Sequence, residues 1–135
     1  MPLLVDTSVW VDFFNARASP EESRLRGALE QGEEIVVPGL VLAEILCGLP
    51  SRGEAERIAR LFQAFSPAAE LETGDYPAAA QLYRSCRRRG WTVRGLADCL
   101  VVQLCVRCGY RLLARDRDFQ ALAAVCPLRR ELPDG

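Results

Sequence analysis

Four acidic residues stand inside apolar runs of this chain, where an acid needs a reason. Asp6 follows Leu3-Leu4-Val5. Glu44 sits in Leu40-Val41-Leu42-Ala43-Glu44-Ile45-Leu46, and Asp98 in Leu96-Ala97-Asp98-Cys99-Leu100-Val101-Val102. Asp116 follows Leu112-Leu113-Ala114-Arg115. Burying an unpaired carboxylate is costly, so partners are expected for all four. Taken singly, Asp6, Asp98 and Asp116 have a plain reading as helix caps or as charges at the positive end of a helix dipole. Glu44 alone reads as the buried partner of an arginine. Taken together, four carboxylates without imidazole or paired thiols suit a hard cation, Mg²⁺ or Mn²⁺.

The composition narrows the chemistry further. The chain has 135 residues and no histidine, and all 17 of its basic residues are arginine. Without histidine there is no Ser-His-Asp or Cys-His catalysis, and no imidazole-based cleavage of RNA. Without lysine there is no lysine-centred phosphate loop and no Schiff base. Carboxylate, thiolate, hydroxyl and guanidinium chemistry remain. With 18 acidic residues the net charge is −1, so contact with a nucleic acid must use a local patch.

The elements that would position the acids follow from the patterning. Leu3 to Val5 reads as a buried strand running into a helix capped by Thr7 or Ser8. Ser19 caps and Pro20 opens a second helix, to about Gln31. Glu34 to Val37 is a strand, Leu40 to Leu46 a helix, and Ser51 to about Phe65 another helix. Ser66 to Leu71 is a weak strand, and Asp75 to Arg89 a helix. Gly95 to Cys108 is a strongly apolar helix closed by Gly109. Arg111 to Ala114, Asp116 to Ala123 and Val125 to Leu128 read as strand, helix and strand. The tail from Arg129 to Gly135 is polar and is expected to fray. This alternation predicts one α/β domain over residues 1–135, with a parallel sheet covered on both faces. In such a sheet the residues after strands open on one edge, where ligands bind, and Asp6 and Asp116 follow strands.

These residues resemble PIN-domain ribonucleases, in particular the VapC toxins of toxin–antitoxin modules. The resemblance opens with Asp6-Thr7-Ser8-Val9-Trp10-Val11-Asp12-Phe13. It continues through Ile35-Val36-Val37-Pro38, Glu44 and the segment Thr92 to Asp98, and closes with Leu112-Leu113-Ala114-Arg115-Asp116-Arg117-Asp118-Phe119. It implies a three-layer α/β/α sandwich around a mainly parallel sheet of about five strands. It also implies an acidic tetrad of Asp6, Glu44, Asp98 and Asp116 binding Mg²⁺ or Mn²⁺. Thr7 or Ser8 would be the hydroxyl that orders the site, Asp118 an accessory acid, and Asp12 a structural one. Many relatives carry Thr or Ser where this chain has Ala114, which removes one polar contact. The resemblance further implies an RNA substrate, a homodimer and a cognate VapB-type antitoxin lying in an apolar groove, for which Leu61, Phe62 and Phe65 are candidates.

The expected activity is endoribonucleolytic. A metal-activated water attacks the phosphorus in line and leaves a 5′-phosphate and a 3′-hydroxyl. Arg115 and Arg117 beside the site, and Arg87, Arg88 and Arg89 in a basic run, are candidate RNA contacts. Two rivals bear on this reading. A haloacid-dehalogenase-type phosphatase also places Asp after its first strand, but wants an Asp where Ser8 stands and a Lys elsewhere. An inactive PIN-like module that only binds RNA or protein is the other, and Ala114 leaves it open.

The remaining signals are bland. The N-terminus lacks the basic start and apolar stretch of a signal peptide. The longest apolar stretch, Ile35 to Leu49, is broken by Pro38 and Glu44 and falls short of a membrane span. Six cysteines, mostly in apolar contexts, read as small core residues of a reducing cytoplasm. The Cys105-x-x-Cys108 spacing lies near the end of a helix, without the second pair a zinc site needs.

Overall fold

The computed structural model describes residues 1–131, and the last four positions of the expected tail lie outside the described residues. The three residues of β1 (Leu3–Val5) are wholly buried, as the centre of a parallel sheet requires. Around them the strands β2 (Ile35–Val37), β3 (Ser66–Pro67), β4 (Arg111–Leu113) and β5 (Arg129–Arg130) complete five strands in the order β3-β2-β1-β4-β5, all parallel. Leu3 pairs with Ile35 on one side and with Arg111 on the other. The chain therefore starts at the centre, winds outward through β2 and β3, and returns to the far side of β1. That reversal puts a crevice beyond the carboxyl ends of β1 and β4, the place where open α/β sheets bind ligands.

Helices make the crossovers. Between β1 and β2 run α1 (Thr7–Phe14) and α2 (Pro20–Glu30), and between β2 and β3 run α3 (Gly39–Cys47) and α4 (Arg52–Phe62). These four pack in sequence, α1 on α2 and α3, and α3 on α4. The second group is α5 (Asp75–Arg88), α6 (Leu96–Cys108) and α7 (Asp118–Ala123), which pack on one another. The result is the expected α/β/α arrangement. The caps are legible: Ser19 Oγ accepts from the Glu22 N–H at 3.0 Å, and Ser51 Oγ from the Glu54 N–H at 3.2 Å. Gly109, in the left-handed region at φ 75°, ends α6, where a Cβ would be strained.

Four local expectations are corrected. The cap of α1 is Asp6, not Thr7 or Ser8, because the carboxylate reaches the Ser8 N–H while Thr7 is already helical. Helix α4 stops at Phe62, and Gln63 to Phe65 form a turn closed by hydrogen bonds back onto Arg60, Leu61 and Phe62. The strand expected over Ser66 to Leu71 ends at Pro67, and the Ala69 N–H donates to the Tyr110 hydroxyl instead of a strand neighbour. The final strand is Arg129–Arg130 rather than Val125 to Leu128. Pro127 has no N–H for a ladder, and Val125 closes a turn onto Leu122.

The tail is correspondingly ordered at its start. Arg129 and Arg130 pair with β4, and the Glu131 N–H donates to Leu112 O at 2.8 Å. The Glu131 carboxylate also takes Arg24 at 2.9 Å and Arg111 at 2.8 Å.

Among the cysteines Cys86, Cys99 and Cys105 are buried, Cys47 is exposed, and none is in a disulfide. Burial pushes the Cys99 thiol up to about 12 and the Cys105 thiol higher, so both are inert core residues. No helix among the described residues is long and apolar enough to cross a membrane.

Candidate active site

The sheet edge beyond β1 and β4 carries the acids. Asp6 is the first residue after β1 and is only 5% exposed. Its Oδ2 accepts from the Ser8 N–H at 3.2 Å and the Ser8 hydroxyl at 2.9 Å, and its backbone N–H donates to Leu113 O at 2.9 Å. The last bond ties the end of β1 to the end of β4. Asp98 lies in the first turn of α6 and is half-buried. Asp116 follows β4, and its Oδ1 accepts from the Asp118 N–H at 3.1 Å. Asp118 opens α7. One carboxylate oxygen from each of Asp98, Asp116 and Asp118 lies within 4.8 Å of the others.

Glu44 joins from α3 through the Thr7 hydroxyl, which donates to its Oε1 at 3.1 Å. Its setting differs from the buried one the flanking leucines suggest. The buried stripe of α3 is only Val41 and Ile45, and Glu44 projects from the exposed side. A short helix at the edge of a small domain leaves much of its apolar sequence only half covered.

The electrostatics are those of crowded like charges. Desolvation, and then the charges of Asp6, Asp116, Asp118 and Glu44, push the Asp98 carboxyl up to about 7. Burial raises Asp6 as well, against the lowering bonds from Ser8, with Asp116 adding to the rise. Desolvation also raises Glu44, and nearby Asp6 adds to it. The cation nearest this group is Arg94, with a nitrogen 3.5 Å from Asp116 Oδ2 and Nε 3.9 Å from Asp118 Oδ2. The Arg94 N–H also donates to Asp118 Oδ2 at 3.0 Å. Its side chain is largely exposed, so its pull on Asp116 and Asp118 is screened by solvent. Converging carboxylate oxygens are the donor set of a hard divalent cation, and the residues present fit one.

The basic candidates are distributed differently. Arg115 turns from the cluster, and its Nε pairs with the buried Asp12 carboxylate at 2.8 Å. Asp12 is thus an anchor between α1 and the segment after β4. Arg117 is exposed on the rim. Arg87 lies over the Tyr83 ring at 5.8 Å and Arg89 over Trp91 at 5.6 Å; with Arg88 they sit at the end of α5, in no ion pair with the acids. Ala114 is buried at the end of β4. Sequence reasoning missed Arg94 and ranked Asp118 behind the tetrad. Arg94's position four residues before Asp98, inside the Thr92–Asp98 segment, was the available signal.

Comparison with known proteins agrees with this geometry. The PIN domain family model matches residues 3–125. Ribonuclease VapC11 of Mycobacterium tuberculosis and VapC ribonuclease Mb1587 of Mycobacterium bovis are each 34% identical over 128 residues, covering 94% of this chain and 96% of theirs. Among solved structures, VapBC-1 from nontypeable Haemophilus influenzae superposes with a TM-score of 0.74 at 14% identity, covering 97% of both chains. VapBC2 from Rickettsia felis, bound to a promoter DNA fragment, superposes with a TM-score of 0.73 at 16% identity, covering 97% of this chain and 98% of that one. The chain belongs to the PIN-domain family and, within it, to the VapC ribonucleases.

Proposed function

We propose that this protein is a Mg²⁺- or Mn²⁺-dependent endoribonuclease, the toxin of a type II toxin–antitoxin pair. The observation that carries the reading is the meeting of Asp6, Glu44, Asp98, Asp116 and Asp118 at one sheet edge, with three of their oxygens within 4.8 Å. Asp6, Asp98, Asp116 and Glu44 would hold the cation, with Asp118 accessory. When bound, it supplies an activated water at neutral pH and offsets charge on the phosphate.

The chain's own groups do the rest. Ser8 fixes Asp6 through two hydrogen bonds, and Thr7 fixes Glu44 through one, so neither carboxylate must be ordered as the reaction proceeds. With Oε1 held by Thr7, Glu44 has Oε2 to take the proton released by the attacking water. The water's oxygen would bond to phosphorus as the bond to the 3′-oxygen breaks, and the proton taken up by Glu44 would pass on to that 3′-oxygen, giving a 5′-phosphate and a 3′-hydroxyl. Arg94 and Arg117 would donate to phosphate oxygens, and Arg94 can leave Asp116 for them because its pairings are long and exposed. Arg115 acts through its bond to Asp12, as a strut rather than a free contact.

The VapC relatives and the VapBC complexes support a VapB-type antitoxin as partner; a homodimer, a cytoplasmic setting and residues 1–135 acting as one domain belong to the same reading. Exposed Leu61, Phe14 and Val11, beside the buried Trp10 and Phe62, support an antitoxin groove on α1 and α4. One observation favours a second reading, an inactive binding module: Arg94 already sits beside Asp116 and Asp118, and Ala114 brings no hydroxyl. Mapping the ends of RNA cut with and without metal decides between them. Metal-dependent cuts with 5′-phosphates fit the enzyme, and metal-independent binding without cuts fits the module.

A further inference from the structure

The two tryptophans of this chain have opposite settings. Trp10 is 1% exposed in an aromatic cluster of the core, whereas Trp91 is 39% exposed on the loop between α5 and α6. The Arg89 guanidinium lies over the Trp91 ring, 5.6 Å from its centroid. A guanidinium covers one face of an indole and leaves the other for a second planar partner.

Trp91 lines a cavity of about 640 Å³ together with Thr92, Arg117, Asp118 and Gln120. That is room for a nucleobase and its sugar. The Thr92 hydroxyl and the Gln120 amide supply uncharged donors and acceptors of the kind that read base edges. A second cavity, of about 440 Å³, is lined by Ser8, Arg94, Arg115, Asp116 and Arg117. Its chemistry suits a phosphate: the guanidiniums of Arg94 and Arg117, with Arg115 held by Asp12, beside a carboxylate of the acidic cluster.

The two cavities share Arg117. Asp116 lines the charged one and Asp118 the aromatic one, and both belong to the same cluster of oxygens. A charged cavity and a cavity with an exposed indole that share one arginine have the layout of one nucleotide, phosphate in the first and base in the second.

We propose that Trp91 is the stacking platform for a base of single-stranded RNA, the one flanking the phosphate held at the acidic cluster. This rests on the nuclease reading and adds to it a specificity-determining residue. Stacking on an aromatic side chain tolerates any base, while Gln120 and Thr92 supply the preference among bases.

The test is a fluorescence titration of the full chain with a short single-stranded oligoribonucleotide, without added metal. The Asp98→Asn background keeps the RNA intact and removes one charge that repels it. Trp10 is shielded, so the RNA-sensitive emission is that of Trp91. Quenching is expected with intact RNA and not with an oligonucleotide made abasic at the flanking position. Trp91→Ala should weaken binding about ten-fold or more, and Trp91→Phe should restore most of it. Unchanged far-ultraviolet circular dichroism is expected for both, since the ring sits on an exposed loop. If Trp91→Ala binds and cuts RNA as the unaltered chain does, the stacking role is wrong and the nuclease reading stands. If the unaltered chain neither binds nor cuts RNA, both fall. Quenching by an antitoxin peptide but not by RNA would assign the pocket to a protein partner and overturn the proposal.

Discussion

Replacing Asp98 by Asn should make the metal-free protein more stable while impairing its function. The carboxyl is pushed from the ordinary carboxylate range, 3.8, up to about 7 by desolvation and by four neighbouring acids. Each pH unit of such a rise represents about 1.4 kcal/mol, an unscreened penalty of ~4 kcal/mol for the charged form. Asp98 is open to solvent on one side, and screening brings the expected value to ~1–2 kcal/mol. The sign follows from proton linkage. A group whose folded pKa is raised binds more protons folded than unfolded, so it lowers stability as pH rises through that interval. Well below pH 3.8 both states are protonated and Asp98→Asn should match the unaltered chain. Between pH 4 and 7 the gap should open, and above pH 7 it should be full. Urea unfolding in EDTA at pH 4, 5.5 and 8 measures it. Added Mg²⁺ should then stabilise the unaltered chain more than Asp98→Asn. A variant that is less stable at pH 8 in EDTA, or a gap that ignores pH, would refute the reasoning.

Other perturbations follow from the same geometry. Thr7→Val, which keeps the shape and removes the hydroxyl, should slow RNA cleavage by about ten-fold through a loosened Glu44, with the melting temperature little changed. Asp12→Ala should destabilise the fold by about 1–3 kcal/mol in denaturant unfolding, because it removes the buried partner of Arg115. Asp75 accepts from Arg107, Gln103 and the Glu72 N–H, and Arg107 beside it holds its carboxyl below the usual range. That contribution is complete above the ordinary carboxylate pKa and is lost as pH falls through the lowered one, so Asp75→Asn should narrow the acid limb of the stability curve. Of six cysteines, Cys47 alone is exposed, so a thiol reagent should label one site rapidly in the native protein and the buried Cys86, Cys99 and Cys105 only on unfolding.

The fold was legible where a local rule had one outcome. Leu3-Leu4-Val5 has the composition of a central strand, and Ser19-Pro20 and Ser51 open helices with caps that the structure contains. It was illegible where apolar residues pack without pairing. Val125, Cys126 and Leu128 are a half-buried turn under the sheet, and the strand beyond them is two arginines, held by β4 and by Glu131. Alternation cannot announce a strand of two residues. For the site, acids in apolar runs flagged the tetrad, yet the physical reason differs between its members. Asp6 is buried by its position after β1, whereas Glu44 is exposed and belongs to the group through Thr7. The same rule could not find Arg94 or promote Asp118, which lie in polar surroundings. Only the folded loops bring them to Asp116.

On the proposed reading these carboxylates hold a metal with which the chain cuts RNA. The most direct measurement of this is cleavage of total cellular RNA by the purified, partner-free chain in Mg²⁺, in Mn²⁺ and in EDTA, beside the Asp116→Asn variant, with fragment ends mapped. Discrete cuts that need metal, carry 5′-phosphates and fall by about 100-fold or more in the variant are expected. Cuts that persist in EDTA or in Asp116→Asn, or a folded chain that cuts nothing under either metal, would contradict that reading.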